Sequence, residues 1–215
     1  MDLQSLSRQE REKLSRRTEI LRAAWKVFAS RDYDSATVDD IAAAAELSKG
    51  TIYLYFQNKA DLFVSTIEMG MEEFNSIIRE IISSNADPAV GLPKMIKSLL
   101  IHCEENADFF KILSSDQAHF EIHNQITDNP SFKERIIAVA SQDIDTIAGY
   151  IQHGIEMGVF RKVDPRDAAF AIVSIIRGFS FRQVMDPTVV KLSEKAETIA
   201  TILLDGLKRA KSATE

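Results

Sequence analysis

A run of hydroxyl, lysine and tyrosine side chains near residue 50 has the composition of a surface that binds nucleic acid. The residues concerned are Ser48, Lys49, Thr51, Tyr53 and Tyr55. Hydroxyl groups and an ammonium donate hydrogen bonds to phosphate oxygens, and those at the start of a helix also reach acceptor atoms on base edges. The run therefore predicts hydrogen bonding to DNA, with Lys49 and Thr51 as the candidates for base contacts.

Gly50 interrupts this run close to the predicted start of a helix. Within a helix, glycine costs up to about 1 kcal/mol relative to alanine. A close approach of DNA or of another part of the backbone would explain its presence, because glycine leaves that space open. The alternative is that Gly50 is tolerated without a role.

Short predicted helices surround the run. Apolar residues recur at helical spacing over residues 18–30, Thr37 can cap a second helix with an acid three residues on, and Ser48 can cap a third. A tight turn joins the second helix to the third, which is the geometry that places a recognition helix in the major groove. We therefore predict a helix-turn-helix over about residues 37–56. The apolar contacts within it are expected from Ile41, Ala42, Ala45, Leu47 and Ile52.

The charges are distributed unevenly along the chain. The net charge is -6, but residues 1–60 hold 10 Lys and Arg against 9 Asp and Glu, so the acidic excess belongs to the rest. Residues 8–31 alone carry eight basic side chains against three acidic ones. A positive segment beside the predicted helix-turn-helix favours a DNA partner, whereas by itself it would be a solvated helix face.

The composition is that of an ordinary globular chain of 215 residues with 45% hydrophobic residues. Its single cysteine, Cys103, cannot form an intramolecular disulfide, and the N-terminus has no apolar run typical of a signal peptide. No segment approaches the roughly 18 apolar residues of a membrane span. We predict a soluble, cytoplasmic protein without a membrane partner.

The rest of the chain is predicted to be helical throughout, because no run alternates polar and apolar residues long enough to suggest a sheet. Proline after a capping residue marks several helix starts, as at Asp87-Pro88 and Asp164-Pro165. The fold class is therefore all-α. Helices are expected at about 59–84, 89–106, 108–125, 131–157, 165–184 and 190–210.

The helix-turn-helix region resembles the DNA-binding signature of the tetracycline-repressor (TetR) family over about residues 14–74. Two positions depart from the family pattern, since Glu46 and Asp32 stand where the family commonly has glycine. A residue other than glycine in a left-handed turn costs roughly 1 kcal/mol. The resemblance is carried by Ile41-Ala42, Ala45, Leu47-Ser48, Gly50-Thr51-Ile52-Tyr53, Tyr55-Phe56, Lys59 and Asp61-Leu62.

The resemblance implies an N-terminal three-helix DNA-binding domain, residues 14–74, followed by an all-helical effector-binding and dimerisation domain, residues 75–215. It implies a repressor that binds a near-palindromic double-stranded operator as a homodimer, is released by a small effector, and needs no cofactor. Most of the implied DNA contacts are to phosphates. By position they are Thr37, Ser48, Lys49, Gly50, Thr51, Tyr53, Tyr55 and Lys59.

The second domain has more apolar side chains than one chain's helices need, which favours both a hydrophobic effector pocket and a dimer interface. The candidate pocket residues are Phe74, Leu99, Cys103, Phe109, Phe110, Leu113, Phe120, Ile144, Ile147 and Tyr150. The candidate interface residues are Ala168, Ile172, Ile175, Phe179, Ile199, Ile202, Leu203 and Leu207. Any of them can instead be ordinary core of the monomer.

Two alternatives stay open. A helical metal-binding enzyme would use His119 and His123, which stand four residues apart, but the run between them lacks the glutamate of the metalloprotease motif. We expect no catalytic residue and no metal site. The other alternative is a DNA-binding dimer without a small-molecule effector, which the sequence does not distinguish from an effector-controlled repressor.

Overall fold

The computed structural model describes residues 7–31, 33–114, 130–186, 188 and 191–207, and these residues contain no strand. The all-α prediction is confirmed. The helices are α1 (Arg8–Ser30), α2 (Val38–Ala44), α3 (Lys49–Tyr53), α4 (Lys59–Ser84), α5 (Pro88–Glu105), α6 (Ala107–Ser114), α7 (Pro130–Glu156), α8 (Pro165–Met185) and α9 (Leu192–Leu207).

Helix α1 begins ten residues before the apolar periodicity predicts. Ser7 caps it, because the Ser7 side chain accepts a hydrogen bond from the Glu10 amide at 3.3 Å. In return, the Glu10 carboxylate accepts from the Ser7 amide at 2.8 Å. This first part of α1 is exposed and has no apolar face, so hydrophobic periodicity cannot reveal it.

Local capping also defines the helix-turn-helix. Thr37 and Asp40 form the predicted capping box at the start of α2, and Ser48 caps α3 by accepting from the Thr51 amide at 3.1 Å. α3 ends at Tyr53, earlier than expected, since the Leu54 amide donates to the Thr51 carbonyl in a tighter turn.

The turn between α2 and α3 contains Glu46 with φ 56°, in the left-handed region that favours glycine. This is the position where the family pattern commonly has glycine, so the turn keeps its geometry without that residue. The backbone strain is roughly 1 kcal/mol. The other departure, Asp32, lies outside the described residues.

The chain divides into two compact units. Unit 1 comprises Met1–Gly70 and Lys111–Ile136, and unit 2 comprises Met71–Phe110 and Ile137–Glu215. Unit 1 therefore includes a second stretch of chain that the predicted division at residue 74 does not contain. The assignment of residues 14–74 to DNA binding and 75–215 to effector binding and dimerisation stays a prediction.

Unit 1 has its own hydrophobic core. Ile20, Ile41 and Ile52, from α1, α2 and α3, are each at most 1% exposed. The Phe63 ring of α4 packs edge-on against the Phe28 ring at 5.0 Å and against the Tyr33 ring at 4.9 Å. These contacts hold the short α2 and α3 in place, since neither helix is long enough to be stable alone.

An arginine ties the second stretch of unit 1 to α4. Arg135 Nε donates to Glu68 Oε1 at 2.6 Å, and Nη2 also reaches Glu68 Oε2. Arg135 further donates to Asp61 Oδ1 at 3.3 Å and to Ser65 Oγ at 3.2 Å. The paired carboxylate of Glu68 raises the Arg135 pKa, so the guanidinium stays charged. The sequence offered no local sign of this cluster, because Arg135 lies far along the chain from its partners.

Unit 2 is built around α5, which packs against α8 and α9. Gly91 allows α5 to approach Tyr150 of α7, since a Cβ at residue 91 would overlap the Tyr150 hydroxyl. That hydroxyl donates to the Asn85 carbonyl and to the Asp87 carbonyl just before α5. The glycine is therefore required by packing within the chain.

Helix α8 is long and apolar. By length and composition alone it could cross a membrane, contrary to the expectation that no segment would be apolar enough. Core helices of globular proteins can be equally long and apolar, yet only 28% of the most apolar 18 residues of α8 are buried in this chain. Of the described helices, α8 is the one whose apolar surface most clearly lacks cover.

Candidate nucleic-acid interface

The recognition helix presents one face to solvent and buries the other. Ile52 and Phe56 are 1% and 2% exposed, so Phe56 is a core residue. Ser48, Lys49, Gly50 and Tyr53 are exposed, and Thr51 and Tyr55 are half-buried. Leu54 is also exposed, although the sequence pattern did not single it out. The predicted contact residues of this segment therefore lie together at a surface that a duplex can reach.

Hydroxyl groups cluster at the start of α3. The oxygens of Ser48 and Thr51 are 2.8 Å apart, and one of the hydroxyls donates to the other. The arrangement keeps both oxygens beside the helix N-terminus, where backbone N–H groups bind anions. Such a terminus suits a phosphate of the DNA backbone.

Thr37 has its hydrogen-bonding groups engaged within the chain. Its hydroxyl donates to Asp40 Oδ2 at 2.6 Å, and its amide donates to the same oxygen at 3.0 Å. These two hydrogen bonds lower the pKa of Asp40. The Thr37 hydroxyl can donate to a phosphate only if the capping box opens, which is a stronger condition than the sequence suggested.

Lys49 forms an ion pair with Asp39 of α2. The Nζ–Oδ2 distance is 2.6 Å, and both side chains are about half exposed or more. The hydrogen bond from the ammonium to Asp39 raises the Lys49 pKa. The ammonium therefore stays charged at this exposed surface, where a carboxylate already pairs with it.

Gly50 is not required by packing within the chain. A Cβ built at this residue would meet only Ser48 Oγ, at 3.7 Å, which is an ordinary van der Waals contact. This contrasts with Gly91, where the chain's own atoms leave no room. The close-approach explanation for Gly50 therefore needs an atom from outside the chain.

Lys59 occupies a different environment from the phosphate contact expected of it. Its Nζ donates to the carbonyls of Tyr33 and Ala36 at 2.8 and 3.1 Å, with the Asp34 carbonyl at 3.5 Å. It also lies 4.2 Å from the centre of the Tyr33 ring. All three N–H donors of the ammonium are directed into the chain. Lys59 joins the segment after α1 to the start of α4.

Basic residues of α1 lie beside the helix-turn-helix. Lys13 and Arg16 line one groove together with Leu54 and Tyr55. Arg11, Arg22 and Lys26 line a second groove, with the end of α2 on its other side. Acidic side chains also line both grooves, Glu12 the first and Glu19 and Glu46 the second. Basic side chains exceed acidic ones by one in each groove, so the positive charge expected from residues 8–31 lies beside the helix-turn-helix as a small excess of the sign that favours a phosphate backbone.

The candidate effector residues of unit 2 are mostly buried, as both core and pocket residues would be. Burial raises the pKa of the Cys103 thiol to about 12, so this cysteine is an unreactive thiol. Ile144 is half-buried. The other two candidates, Leu113 and Phe120, fall in unit 1 rather than unit 2, and Phe120 and the side chain of Leu113 lie outside the described part of the chain. The buried candidates are Phe74, Leu99, Cys103, Phe109, Phe110, Ile147 and Tyr150.

Asn75 is a polar residue in this apolar unit that the sequence analysis missed. It is 3% exposed, and its carboxamide oxygen has no hydrogen-bond partner in the structure. Burying an amide without a partner costs about 1–3 kcal/mol. The sequence signal that could have identified it is its helical spacing, next to Phe74 and three residues before Ile78, which places an asparagine on an apolar face.

The candidate interface residues differ widely in how exposed they are. Ile172 and Ile199 are 2% and 4% exposed, so they pack inside unit 2 and offer little surface to a partner. Ile202 is 69% exposed. Ala168, Ile175, Phe179 and Leu203 are half-buried, and the side chain of Leu207 lies outside the described residues.

A second set of apolar residues on α8 is more exposed than those that the sequence singled out on that helix. Phe170, Phe181 and Met185 are 59%, 44% and 64% exposed. Together with the exposed Ser174 and Gly178 they follow one face of the helix at spacings of three and four residues. We call these five residues the α8 stripe. A Cβ at Gly178 would meet nothing within 4 Å, so this position is open to a neighbouring helix.

The metal-site alternative is not tested by the structure, because His119 and His123 lie outside the described residues. Elsewhere, within the described ranges, no three His, Cys, Asp or Glu side chains are grouped as metal ligands.

Residues 20–66 match the family model of bacterial regulatory proteins of the tetR family. The chain is 26% identical over 145 residues to the transcriptional repressor NicS of Pseudomonas putida, a match that covers 67% of this chain and 66% of NicS. It is 25% identical over 193 residues to the fatty acid metabolism regulator protein of Bacillus subtilis, covering 88% of this chain and 94% of that protein.

The fold is also that of a solved regulator. The crystal structure of the transcriptional regulator FadR from Bacillus subtilis, in complex with stearoyl-CoA, superposes with a TM-score of 0.75 at 24% identity, covering 88% of this chain and 98% of FadR. With the exposed recognition helix and the matched segment around it, the chain is a DNA-binding regulator of transcription that carries the DNA-binding segment of the tetR family of bacterial regulatory proteins.

Proposed function

We propose that this protein is a repressor that binds a near-palindromic operator as a homodimer and is released by a largely apolar small molecule. The observation that carries the DNA-binding part is the exposed, polar face of α3, with Ser48 and Thr51 at its start and Lys49 and Tyr53 beside them. The repressor assignment follows the NicS relationship.

The first test selects operator sequences from a pool of random duplex DNA and measures affinity at several salt concentrations. A two-fold symmetric consensus is expected, because a symmetric dimer presents two recognition helices to two half-sites. Lys49→Ala should relax one position of each half-site at a cost of about 1–3 kcal/mol. The DNA-binding proposal is wrong if no sequence is enriched and affinity does not depend on salt.

Gly50→Ala separates a DNA-imposed glycine from a merely tolerated one. The added methyl has room in the free protein and raises helix propensity, so we expect thermal stability equal to or slightly above the wild type. The same methyl would meet the DNA backbone, and operator affinity should fall about tenfold or more, which corresponds to about 1.4 kcal/mol. Equal affinity for operator DNA would mean that Gly50 has no role in the contact.

The homodimer part rests on the α8 stripe. Its aromatic and methionine side chains are exposed in the single chain, and its two small residues, Ser174 and Gly178, leave space for a close neighbour. A two-fold axis along α8 would cover the stripe with the identical stripe of a second copy, as in an isologous interface. We therefore propose Phe170, Phe181 and Met185 as interface residues, together with the half-buried Ala168, Ile175, Phe179 and Leu203 and the exposed Ile202.

The effector part rests on the interior of unit 2. The buried candidates are almost all apolar, which suits a hydrophobic molecule. The carboxamide oxygen of Asn75, which has no partner in the structure, can accept one hydrogen bond from such a ligand. Because FadR of Bacillus subtilis was solved with stearoyl-CoA, long-chain acyl-CoA is the first class to test on this chain.

The effector test measures release of a labelled operator by stearoyl-CoA, with unacylated CoA as the control ligand. Release by stearoyl-CoA alone is expected, and Asn75→Leu should need at least about fivefold more ligand, since it removes one hydrogen bond worth about 1 kcal/mol or more. Thermal stability of Asn75→Leu without ligand should not decrease, because the substitution removes a buried amide oxygen that has no partner.

Thr66→Val is the matched control for the Asn75 substitution. Thr66 lies on the same helix and is equally buried, but its hydroxyl donates to the Leu62 carbonyl of that helix. Operator release by stearoyl-CoA should therefore be unchanged in this variant. If neither stearoyl-CoA nor a wider set of apolar ligands alters operator affinity, the alternative of a DNA-binding dimer without an effector is correct.

A further inference from the structure

Lys49 is the basic residue of α3, and it is already paired within the chain before DNA binds. Its partner Asp39 lies in α2, ten residues earlier, with an Nζ–Oδ2 distance of 2.6 Å. The Lys49 side chain is 48% exposed and the Asp39 side chain 66%, so both remain in contact with solvent. A carboxylate at a surface that binds DNA is unexpected, since it repels phosphate.

We infer that Asp39 is a specificity-determining residue of the DNA-binding surface. It holds the Lys49 ammonium in place for a base edge and weakens binding to duplexes of any other sequence. The inference rests on the proposed DNA-binding function and adds to it a residue that opposes binding.

The neighbouring acid has a different partner. Asp40 accepts from the Thr37 hydroxyl and pairs with Arg31, whose Nη1 lies 3.2 Å from Asp40 Oδ1. Asp40 is therefore engaged in stabilising the start of α2. Asp39 has no part in that capping box, and its contact in the structure is with Lys49.

The donor geometry of Lys49 explains how the pair can read a base. An ammonium has three N–H donors, and the hydrogen bond to Asp39 uses one of them. The other two can donate to the acceptors O6 and N7 that guanine presents in the major groove. Because Asp39 holds the ammonium from α2, Lys49 reaches the base with fewer rotamers to lose on binding.

The charge of Asp39 explains discrimination against other sequences. On a duplex without the correct base, Lys49 gains affinity only by moving to a phosphate, which means leaving Asp39 and exposing an unpaired carboxylate to the DNA backbone. Specificity is a difference of two binding free energies, so a group that weakens binding to the wrong sequence raises specificity. Exposed ion pairs contribute little to the free energy of folding, so stabilising the fold does not by itself account for this pair.

The test compares Asp39→Asn with the wild type on the selected operator and on a scrambled duplex, at several salt concentrations. Affinity for the scrambled duplex should rise about three- to tenfold at low salt, and its salt slope should steepen by about 0.9, as for one more neutralised phosphate. Affinity for the operator should rise less, so the ratio of the two affinities should fall.

Two controls isolate the pair. Glu46→Gln removes an exposed acid from the turn before α3 without touching Lys49, and it should leave the affinity ratio unchanged. In a Lys49→Gln background, Asp39→Asn should no longer change the salt slope, because the group that it releases is gone. If Glu46→Gln has the same effect as Asp39→Asn, only overall charge matters and the inference is wrong.

The outcomes separate this inference from the proposed function. Wild-type protein that shows no salt-dependent DNA binding would contradict both. The role of Asp39 is overturned, and the proposed function stays intact, if the wild-type protein selects an operator and Asp39→Asn has the same affinity ratio and the same salt slope as the wild type.

Discussion

Replacing Phe170 with aspartate is expected to convert the proposed dimer into monomers and to lower operator affinity by about a hundredfold or more. Phe170 is 59% exposed in the single chain and lies on the α8 stripe. At a two-fold interface each substitution is made twice, so two carboxylates replace two aromatic side chains in a region that excludes water. Burying charges without partners costs several kcal/mol each.

The loss of operator affinity follows from the loss of the second half-site. In a dimer, binding of one recognition helix holds the other near its half-site, and this effective concentration multiplies the affinity by about 10²–10⁴. A monomer keeps only the contacts of one helix-turn-helix. Sedimentation equilibrium or light scattering gives the mass, and a binding curve on the selected operator gives the affinity.

Val90→Asp is the matched control. Val90 is also an exposed apolar residue of unit 2, at 47%, but it lies in the first turn of α5, where an acid is favourable. This variant should stay dimeric and bind the operator normally. A Phe170→Asp protein that folds, remains dimeric and binds as tightly as the wild type would rule out the α8 stripe as the interface.

The second large effect is expected at Lys59. Lys59→Met should lower the free energy of unfolding by about 2–4 kcal/mol, because a charged hydrogen bond is worth about 1.5–3 kcal/mol and the contact with the Tyr33 ring adds about 0.5–1 kcal/mol. The Tyr33 and Ala36 carbonyls would lose the ammonium that they accept from. DNA binding should be lost with folding and should return on cooling below the melting temperature.

Lys49→Met is the comparison for Lys59→Met, because it should affect DNA binding and not stability. Lys49 is exposed and paired only with an exposed acid, so its removal should leave the melting temperature almost unchanged while operator affinity falls. Thermal melts and salt-dependent binding curves of the two variants distinguish a lysine that supports the fold from one that contacts DNA. If Lys59→Met melts like the wild type and lowers the salt slope by about one, Lys59 is a phosphate contact after all.

The sequence by itself determined the elements whose causes are local. The Thr37–Asp40 capping box, the Ser48 cap and the prolines after Asp87 and Asp164 act within one helical turn, so their residues can be read directly. The left-handed turn at Glu46 was implied by the resemblance to the TetR family, which commonly has glycine at that position. These signals were sufficient for the all-α fold and for the exposed face of α3.

Only the tertiary structure decided which partner each side chain has. Lys59 contacts carbonyls 23 to 26 residues earlier in the chain, and Lys49 meets an acid on another helix. Helical periodicity identifies an apolar face, but α8 is apolar on more than one side. Its packing against α5 and α9 buries Ile172 and leaves Phe170 exposed. Contacts between residues distant in sequence depend on how the helices pack together, and no local pattern records that arrangement.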